Sequence, residues 1–222
     1  MKSFSEFMAE GVNDPAIFKA IFLAGGPGSG KSFIVGKTGL GSLGFKIVNS
    51  DNAFEKAMNK AKISMDAEGV FSQKGQEIRG KAKKLTSIGM EGYLAGRLGL
   101  VIDGTGKDAE KIKRQSKELD ALGYETAMIF VNTDLETAMK RNQARPRSLP
   151  DQQVEAMWKD VQKNIGKFQS MFGKNFIVID NSVGANYEKA TQSGYKWASK
   201  FADQKIRRPV AKKWIERERA KK

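Results

Sequence analysis

Short apolar runs separated by longer amphipathic stretches set the pattern of this chain. Five runs, Ile21–Ala24, Phe45–Val48, Leu98–Asp103, Thr126–Val131 and Phe176–Ile179, are too short for helices and too apolar for surface loops, so they predict buried strands. The segments between them predict helices. A short one starts at Lys31 and is broken by Gly39, Gly41 and Gly44. Others span Ala53 to Ile63, Gln73 to Arg97, Asp108 to Leu122 and Leu135 to about Ala144. Gly80, Gly89, Gly92 and Gly96 predict kinks or a split in the long Gln73–Arg97 helix. Val154, Met157, Val161, Ile165, Phe168 and Phe172 recur at helical spacing, which predicts one helix over 151–172 with its aromatics, Trp158 included, in the core. A last helix starts near Ala185 with Tyr187, Thr191, Gly194, Tyr195, Ala198 and Phe201 inward, until Pro209 interrupts it. A basic segment, Val210 to Lys222, follows.

Strands alternating with helices imply an α/β fold, a parallel sheet covered on both faces. All strand C-termini then lie along one edge, where ligands bind. Asp51, Asp103, Asn132 and Asn181, which close the apolar runs, should share that edge. No repeat or low-complexity linker is seen. The expected organisation is an N-terminal arm (1–15), one domain (16–204) and a basic C-terminal extension (205–222). In the arm, Phe4, Phe7 and Met8 would form one apolar stripe, packed back onto the domain or docked on a partner.

Directly after the first strand comes Gly25-Gly26-Pro27-Gly28-Ser29-Gly30-Lys31-Ser32, with the spacing of a P-loop. Its glycines let successive backbone N–H groups turn inward on a phosphate, and the following helix aims its positive end at the same anion. Lys31 would reach the outer phosphates of ATP, the Ser32 hydroxyl would ligate Mg²⁺, and the whole stretch from Gly25 through Phe33 would hold the nucleotide.

Composition sharpens the chemistry. The 222 residues include no cysteine and no histidine, which excludes disulfides, thiol nucleophiles and ordinary zinc sites. A general base at neutral pH must then be a carboxylate or lysine. Asp51, just past the second strand, is the best candidate, although Ser50, Asp51 and Asn52 also suit a helix cap. Asp103 ends an apolar strand as a Mg²⁺-supporting acid would, or else caps the Gly104-Thr105-Gly106 turn. Arg141 and Arg145 lie four apart at a helix end, and Pro146 throws Arg147 onto a loop. Three guanidiniums on a mobile lid suit the charge of a transferring phosphoryl group; the plainer reading is solvated arginines at a helix C-terminus.

The net charge of +14 points to anionic partners such as nucleotides or nucleic acid. Nine Lys or Arg against three acids crowd residues 203–222, where a nucleic-acid contact and a solvated helix end are equally good readings. The basic start of the Gln73–Arg97 helix (Lys74, Arg79, Lys81, Lys83, Lys84) reads as a solvated face. No apolar run approaches the roughly 20 residues that span a bilayer, and acids interrupt the N-terminus where a signal peptide needs a greasy stretch. The expected location is the cytoplasm, with no membrane partner.

Together the P-loop, Val-Asn-Ser-Asp (48–51), Val-Ile-Asp-Gly-Thr (101–105) and Arg-Asn-x-x-Arg-x-Arg-x-x-Pro (141–150) resemble the P-loop kinase superfamily, especially zeta-toxin kinases and 5′-hydroxyl polynucleotide kinase domains. The resemblance implies a three-layer fold with a helical lid over a five-stranded sheet in the order 2-3-1-4-5. It implies that Asp51 deprotonates an acceptor hydroxyl, that Arg141, Arg145 and Arg147 form the lid, and that the loop from Asn181 to Ala185 flanks adenine. The acceptor would be a nucleic-acid 5′-end, a nucleotide or a nucleotide-sugar. An arginine often follows the base aspartate closely in that family, whereas Asn52-Ala53-Phe54-Glu55 follows here, which leaves the acceptor open. The opening Met-Lys-Ser-Phe-Ser-Glu-Phe resembles starts of tailed-phage proteins of marine bacteria, which would put the protein in a bacterial host. Two other classes compete with a kinase: a nucleic-acid-stimulated ATPase, and a nucleotide-binding assembly protein. Gly104 after Asp103, where a motor usually carries a water-activating glutamate, counts against the first.

Overall fold

The computed structural model describes residues 11–145 and 148–221. Five parallel strands form one sheet in the order β2-β3-β1-β4-β5: β1 Lys19–Ala24, β2 Lys46–Val48, β3 Leu100–Asp103, β4 Glu125–Asn132 and β5 Phe176–Asp180. Side-chain alternation along β1 builds the two halves of the core. Ala20, Phe22 and Ala24 face one side, together with Ile112 and Leu119 of α5 (Ala109–Ala121) and Phe168 and Phe172 of α8 (Ile165–Phe172). Ile21 and Leu23 face the other, against Ile34 of α1 (Lys31–Lys37) and Ala198 and Phe201 of α9 (Tyr187–Ala202). The result is a three-layer α/β fold.

A smaller apolar cluster sits beside this core. Phe54 and Met58 of α2 (Ser50–Lys60) pack with Val70 of α3 (Ala67–Phe71) and Ala82 of α4 (Gln73–Ala95). The glycines of α4 do not split it: 73–95 is one continuous helix, and Gly80 and Gly89 have open space where a side chain would lie. By contrast, the single helix expected over 151–172 is two, α7 (Asp151–Gln162) and α8. The break falls at Asn164, whose buried side-chain amide donates to the carbonyls of Gly106 and Lys107 at 3.0 and 2.9 Å. A tertiary bond to the turn after β3 fixes the break, so helical spacing alone could not reveal it.

Both tyrosines expected inward on α9 face out, Tyr187 being 48% and Tyr195 43% exposed. The basic C-terminal segment forms α10 (Pro209–Arg219). Its Ala211 and Trp214 are buried, and the Trp214 indole meets the Phe18 ring edge-on at 5.5 Å. The lysines and arginines of α10 are exposed. At the other end of the described chain, buried Asp14 accepts from the Ala16 and Gly99 N–H groups, which ties residues 11–15 to the approach to β3. The apolar stripe at Phe4, Phe7 and Met8 lies outside the described residues. Among those described, no helix is long and apolar enough to cross a membrane.

Candidate functional site

The P-loop leaves β1 at Gly25 and closes on α1. Gly28 and Gly30 adopt φ of 73° and 80°, a region glycine enters without steric cost. Packing makes the same demand: a Cβ on Gly28 would stand 2.2 Å from the Ala138 carbonyl oxygen of α6 (Leu135–Gln143). Asn181, just beyond β5, donates its side-chain amide to the Ser29 carbonyl at 2.8 Å. Its own carbonyl accepts from Arg141 Nη1 at 2.8 Å. The loop, α6 and the end of β5 are thus one hydrogen-bonded unit.

Lys31 curls over this loop, donating to the Gly25 and Gly26 carbonyls at 2.6 and 3.4 Å. Burial pulls its pKa below the ordinary 10.5; the carboxylate of Asp103 opposes that, Arg145 reinforces it and Asp51 opposes it. β3 pairs directly with β1, so Asp103 ends its strand beside the P-loop; Asn181 bonds to that loop from the end of β5, and the Asn49 side chain bonds both Asp103 and the Asp51 N–H. The expected edge therefore exists.

Asp103 ends β3 beside Leu23 of β1. Its Oδ2 accepts from the Asn49 side-chain amide at 2.6 Å, while its Oδ1 is buried without a hydrogen-bond partner. Burial raises its pKa above the ordinary 3.8, with Lys31 lowering it and the nearby Asp51 raising it. A buried, unpartnered carboxylate oxygen at the end of the strand next to the P-loop's own is the donor type a Mg²⁺ ion takes. Among the described residues no group of three or more acidic side chains could hold a metal, so such an ion would draw its remaining ligands from phosphate oxygens and water. The residues present fit Mg²⁺ in that manner.

Asn49 was not singled out by its sequence context. It is the N-cap of α2: its Oδ1 accepts from the Asp51 N–H at 2.7 Å while its amide holds Asp103. The capping residue expected among 50–52 is therefore one position earlier. Asp51 sits in the first helical turn and is exposed.

A cavity of about 440 Å³ adjoins the loop, lined by Gly30, Phe33, Arg141, Asn181, the 182–185 loop and Tyr187. Phe33 and Tyr187 meet edge to face at 5.9 Å. Phe33, Arg141 and Asn181 were expected to bind nucleotide, and they meet here. Tyr187 was expected in the core; it is instead an exposed aromatic wall of this cavity. Trp158 of α7 donates to the Thr133 carbonyl at 2.8 Å, bringing α7 across the loop, where its Cα lies 3.8 Å from a Cβ on Gly26. Arg141 is half-buried and Arg145 exposed, whereas Arg147 lies outside the described residues.

One basic residue departs from the expected solvated face of α4. Arg79 is half-buried, its guanidinium 4.7 Å above the Phe54 ring, and its Nε and Nη2 are buried without hydrogen-bond partners. Phe54 lies one turn after Asp51 on α2, so Arg79 packs against the helix that carries Asp51. Lys74, Lys81, Lys83 and Lys84 are exposed, as the solvated reading requires.

A family model described as an AAA domain matches residues 21–165. The chain belongs to this P-loop family. Solved structures share the fold at low identity. A chain of the PezAT chromosomal toxin–antitoxin system of Streptococcus pneumoniae is 15% identical with a TM-score of 0.53, over 98% of this chain and 94% of that one. A chain of the AvrRxo1-ORF1:-ORF2 structure with ATP is 11% identical with a TM-score of 0.58, over 97% and 87%. A chain of the Pnkp1/Rnl/Hen1 RNA repair complex is 18% identical with a TM-score of 0.52, over 68% and 46%. No curated protein matches the sequence. The phage likeness of the first seven residues finds no support in these comparisons.

Proposed function

We propose that this P-loop domain is a kinase that transfers the γ-phosphoryl group of ATP to a hydroxyl of an anionic acceptor. The observation that carries the proposal is one sheet edge: the P-loop leaves β1 beside Asp103 at the end of β3, and the Asn49 side chain joins Asp103 to the first turn of α2, where Asp51 sits. A machine for hydrolysis would need a group to activate water at the position after Asp103, and Gly104 stands there. Similarity to kinase folds agrees with this reading without naming an acceptor.

In this reading the adenine lies against Phe33 and Tyr187, and the loop N–H groups with Lys31 grip the phosphates. Ser32 and Asp103 would hold Mg²⁺, which supplies charge neutralisation on the phosphates when bound. Asp51 accepts the proton as the acceptor oxygen bonds to the γ-phosphorus and the bridging bond to ADP breaks. Arg141 and Arg145 stabilise the charge that spreads over the transferring group, with Arg147 as a third lid cation. The acceptor lies between Asp51 and the start of α4, where the unpartnered Arg79 nitrogens suit an anion on the same molecule. A nucleic-acid 5′-end, a nucleotide or a nucleotide-sugar meets that requirement.

The test is incubation with γ-labelled ATP and Mg²⁺ against 5′-hydroxyl DNA and RNA, nucleosides and nucleotide-sugars. Label should pass to one of these classes. Asp51→Asn should abolish that transfer while ATP affinity is kept; turnover retained in this variant refutes the base assignment. Label released only as inorganic phosphate, faster with DNA, would mean a nucleic-acid-stimulated ATPase instead.

A further inference from the structure

At the opposite edge of the sheet, where the strands begin, a second cavity of about 540 Å³ opens between α5, the start of β4, the turn after α8 and the 204–208 segment. Glu125 and Thr126 lie at the start of β4, and Thr126 Oγ1 shares a 2.9 Å hydrogen bond with Ser116. Both carboxylates that line it are already neutralised. Glu125 pairs with buried Lys19 at 3.2 Å, and Asp120 with Arg208 at 2.8 Å. Lys117, Lys174 and Arg207 also line the cavity, and among the described residues none of them is within ion-pair distance of a carboxylate. The charge left over is three cations around a polar hollow. Exposed Lys205, next to Gln204 of the lining, and exposed Lys212 and Lys213 of α10, four and five residues after Arg208, carry further charge along the chain.

We propose that this cavity and the adjoining turn of α10 form a binding site for the phosphodiester backbone of a nucleic-acid strand, separate from the nucleotide pocket. The two sites are held apart by the length of the strands, roughly 20 Å for a strand of six residues. A lone phosphate would be satisfied inside the hollow; cations that run on past its rim fit a ligand whose charge repeats along a chain. Among the described residues, Met171 and Phe172 are the only large apolar side chains in the lining, too few for the aromatic anchors on which protein partners depend. Hydroxyls and an amide (Asn175, which donates to the Thr126 carbonyl at 3.2 Å) complete a lining able to meet phosphate and sugar oxygens. Some of the basic character answers the C-terminal ends of α5 and α8, as the contact of Arg208 with the Asp120 carbonyl illustrates. Lys117 lies a full turn before the end of α5, which that explanation does not reach. The site does not depend on phosphoryl transfer, so it stands or falls separately from the kinase proposal.

The experiment is fluorescence anisotropy of the full-length protein with labelled 20-nucleotide single-stranded DNA and RNA over a range of salt. The K117Q/K174Q/R207Q triple variant should bind about tenfold or more weakly. Its plot of log affinity against log salt should be shallower by about 2, since each lost single-strand phosphate contact removes roughly 0.7. ATP affinity and thermal midpoint should not change, which separates site loss from misfolding. A control of equal charge, K189Q/K196Q/K200Q on α9, should leave strand binding within about threefold. Equal losses in both triples would reveal only diffuse attraction to a basic protein and overturn the proposal. So would an unaffected site triple, or complete displacement of the strand by millimolar inorganic phosphate or AMP.

Discussion

Asn49 and Asp103 are joined by a 2.6 Å hydrogen bond that ties the cap of α2 to the end of β3. The same asparagine accepts from the Asp51 N–H, so one side chain sets both acidic groups of the site. Asn49→Ala should therefore cost more than an ordinary cap. The cap is worth about 1 kcal/mol, and leaving Asp103 Oδ2 without its donor adds about 1–2 kcal/mol. Asn49→Asp keeps the cap but sets a carboxylate against Asp103. Chemical denaturation at pH 7 should show a loss of about 2–3 kcal/mol for the alanine variant. For the aspartate variant, the deficit should shrink as the pH is lowered and one carboxylate takes a proton.

The raised pKa of Asp103 makes a signed prediction about pH. The folded protein holds this proton more tightly than the unfolded chain, whose group titrates near 3.8. The stability contribution of Asp103 therefore falls as pH rises from 3.8 through its higher folded value, and at neutral pH the ionised group is a net cost. Asp103→Asn retains an acceptor for the Asn49 amide and removes the charge. Its thermal midpoint should exceed that of the wild type at pH 7, with the advantage vanishing as the pH approaches 3.8. If Asp103 supports Mg²⁺, the same variant should lose Mg²⁺-dependent turnover despite its greater stability, which a Mg²⁺ titration would register as lost response.

The fold was legible because its signals are local. Ile21–Ala24 is buried on both faces as part of a central strand, whereas Phe45–Val48 and Phe176–Ile179, expected to be buried, form the two edge strands with Ile47 and Val178 exposed; the P-loop spacing is a backbone geometry written in glycines. That Asp103 and Asn181 stand at the P-loop's edge of the sheet followed from their places after those runs. What escaped depends on contacts between distant segments. Asn164 breaks a helix because the Gly106 carbonyl lies near it, 58 residues away in sequence. Arg79 sits in a run of lysines that spacing alone marks as solvated, and only the Phe54 ring across from it distinguishes it. Tyr187 has helical spacing with core residues but stands at the first residue of α9, where the cavity beside the P-loop rather than the core meets it.

The glycines separate into those the site needs and those it does not. Gly28→Ala would force φ of 73° on a residue with a Cβ and drive that atom against the Ala138 carbonyl. A loss of about 3 kcal/mol or more is expected, with ATP binding abolished. Gly80→Ala and Gly89→Ala enter open space in a continuous helix. Each should stabilise by up to about 1 kcal/mol, and their separation along α4 should make the gains additive. Denaturation curves with nucleotide binding measured in parallel would check both halves.

Arg79 offers the most direct route to the acceptor. A guanidinium with Nε and Nη2 buried and unpartnered is a cost to the folded protein unless something else repays it. Arg79→Met keeps an unbranched stem against the Phe54 ring and removes the unpaired charge, so the thermal midpoint should hold or rise. If these nitrogens grip an anion on the acceptor, loss of such charge-assisted bonds should raise the acceptor KM about tenfold to a hundredfold. The KM for ATP and kcat should change little, because neither the loop nor Asp51 is touched. An uncharged acceptor analogue should show no such difference between wild type and variant. A variant that melts earlier and has an unaltered acceptor KM would instead assign Arg79 to holding α2 against α4.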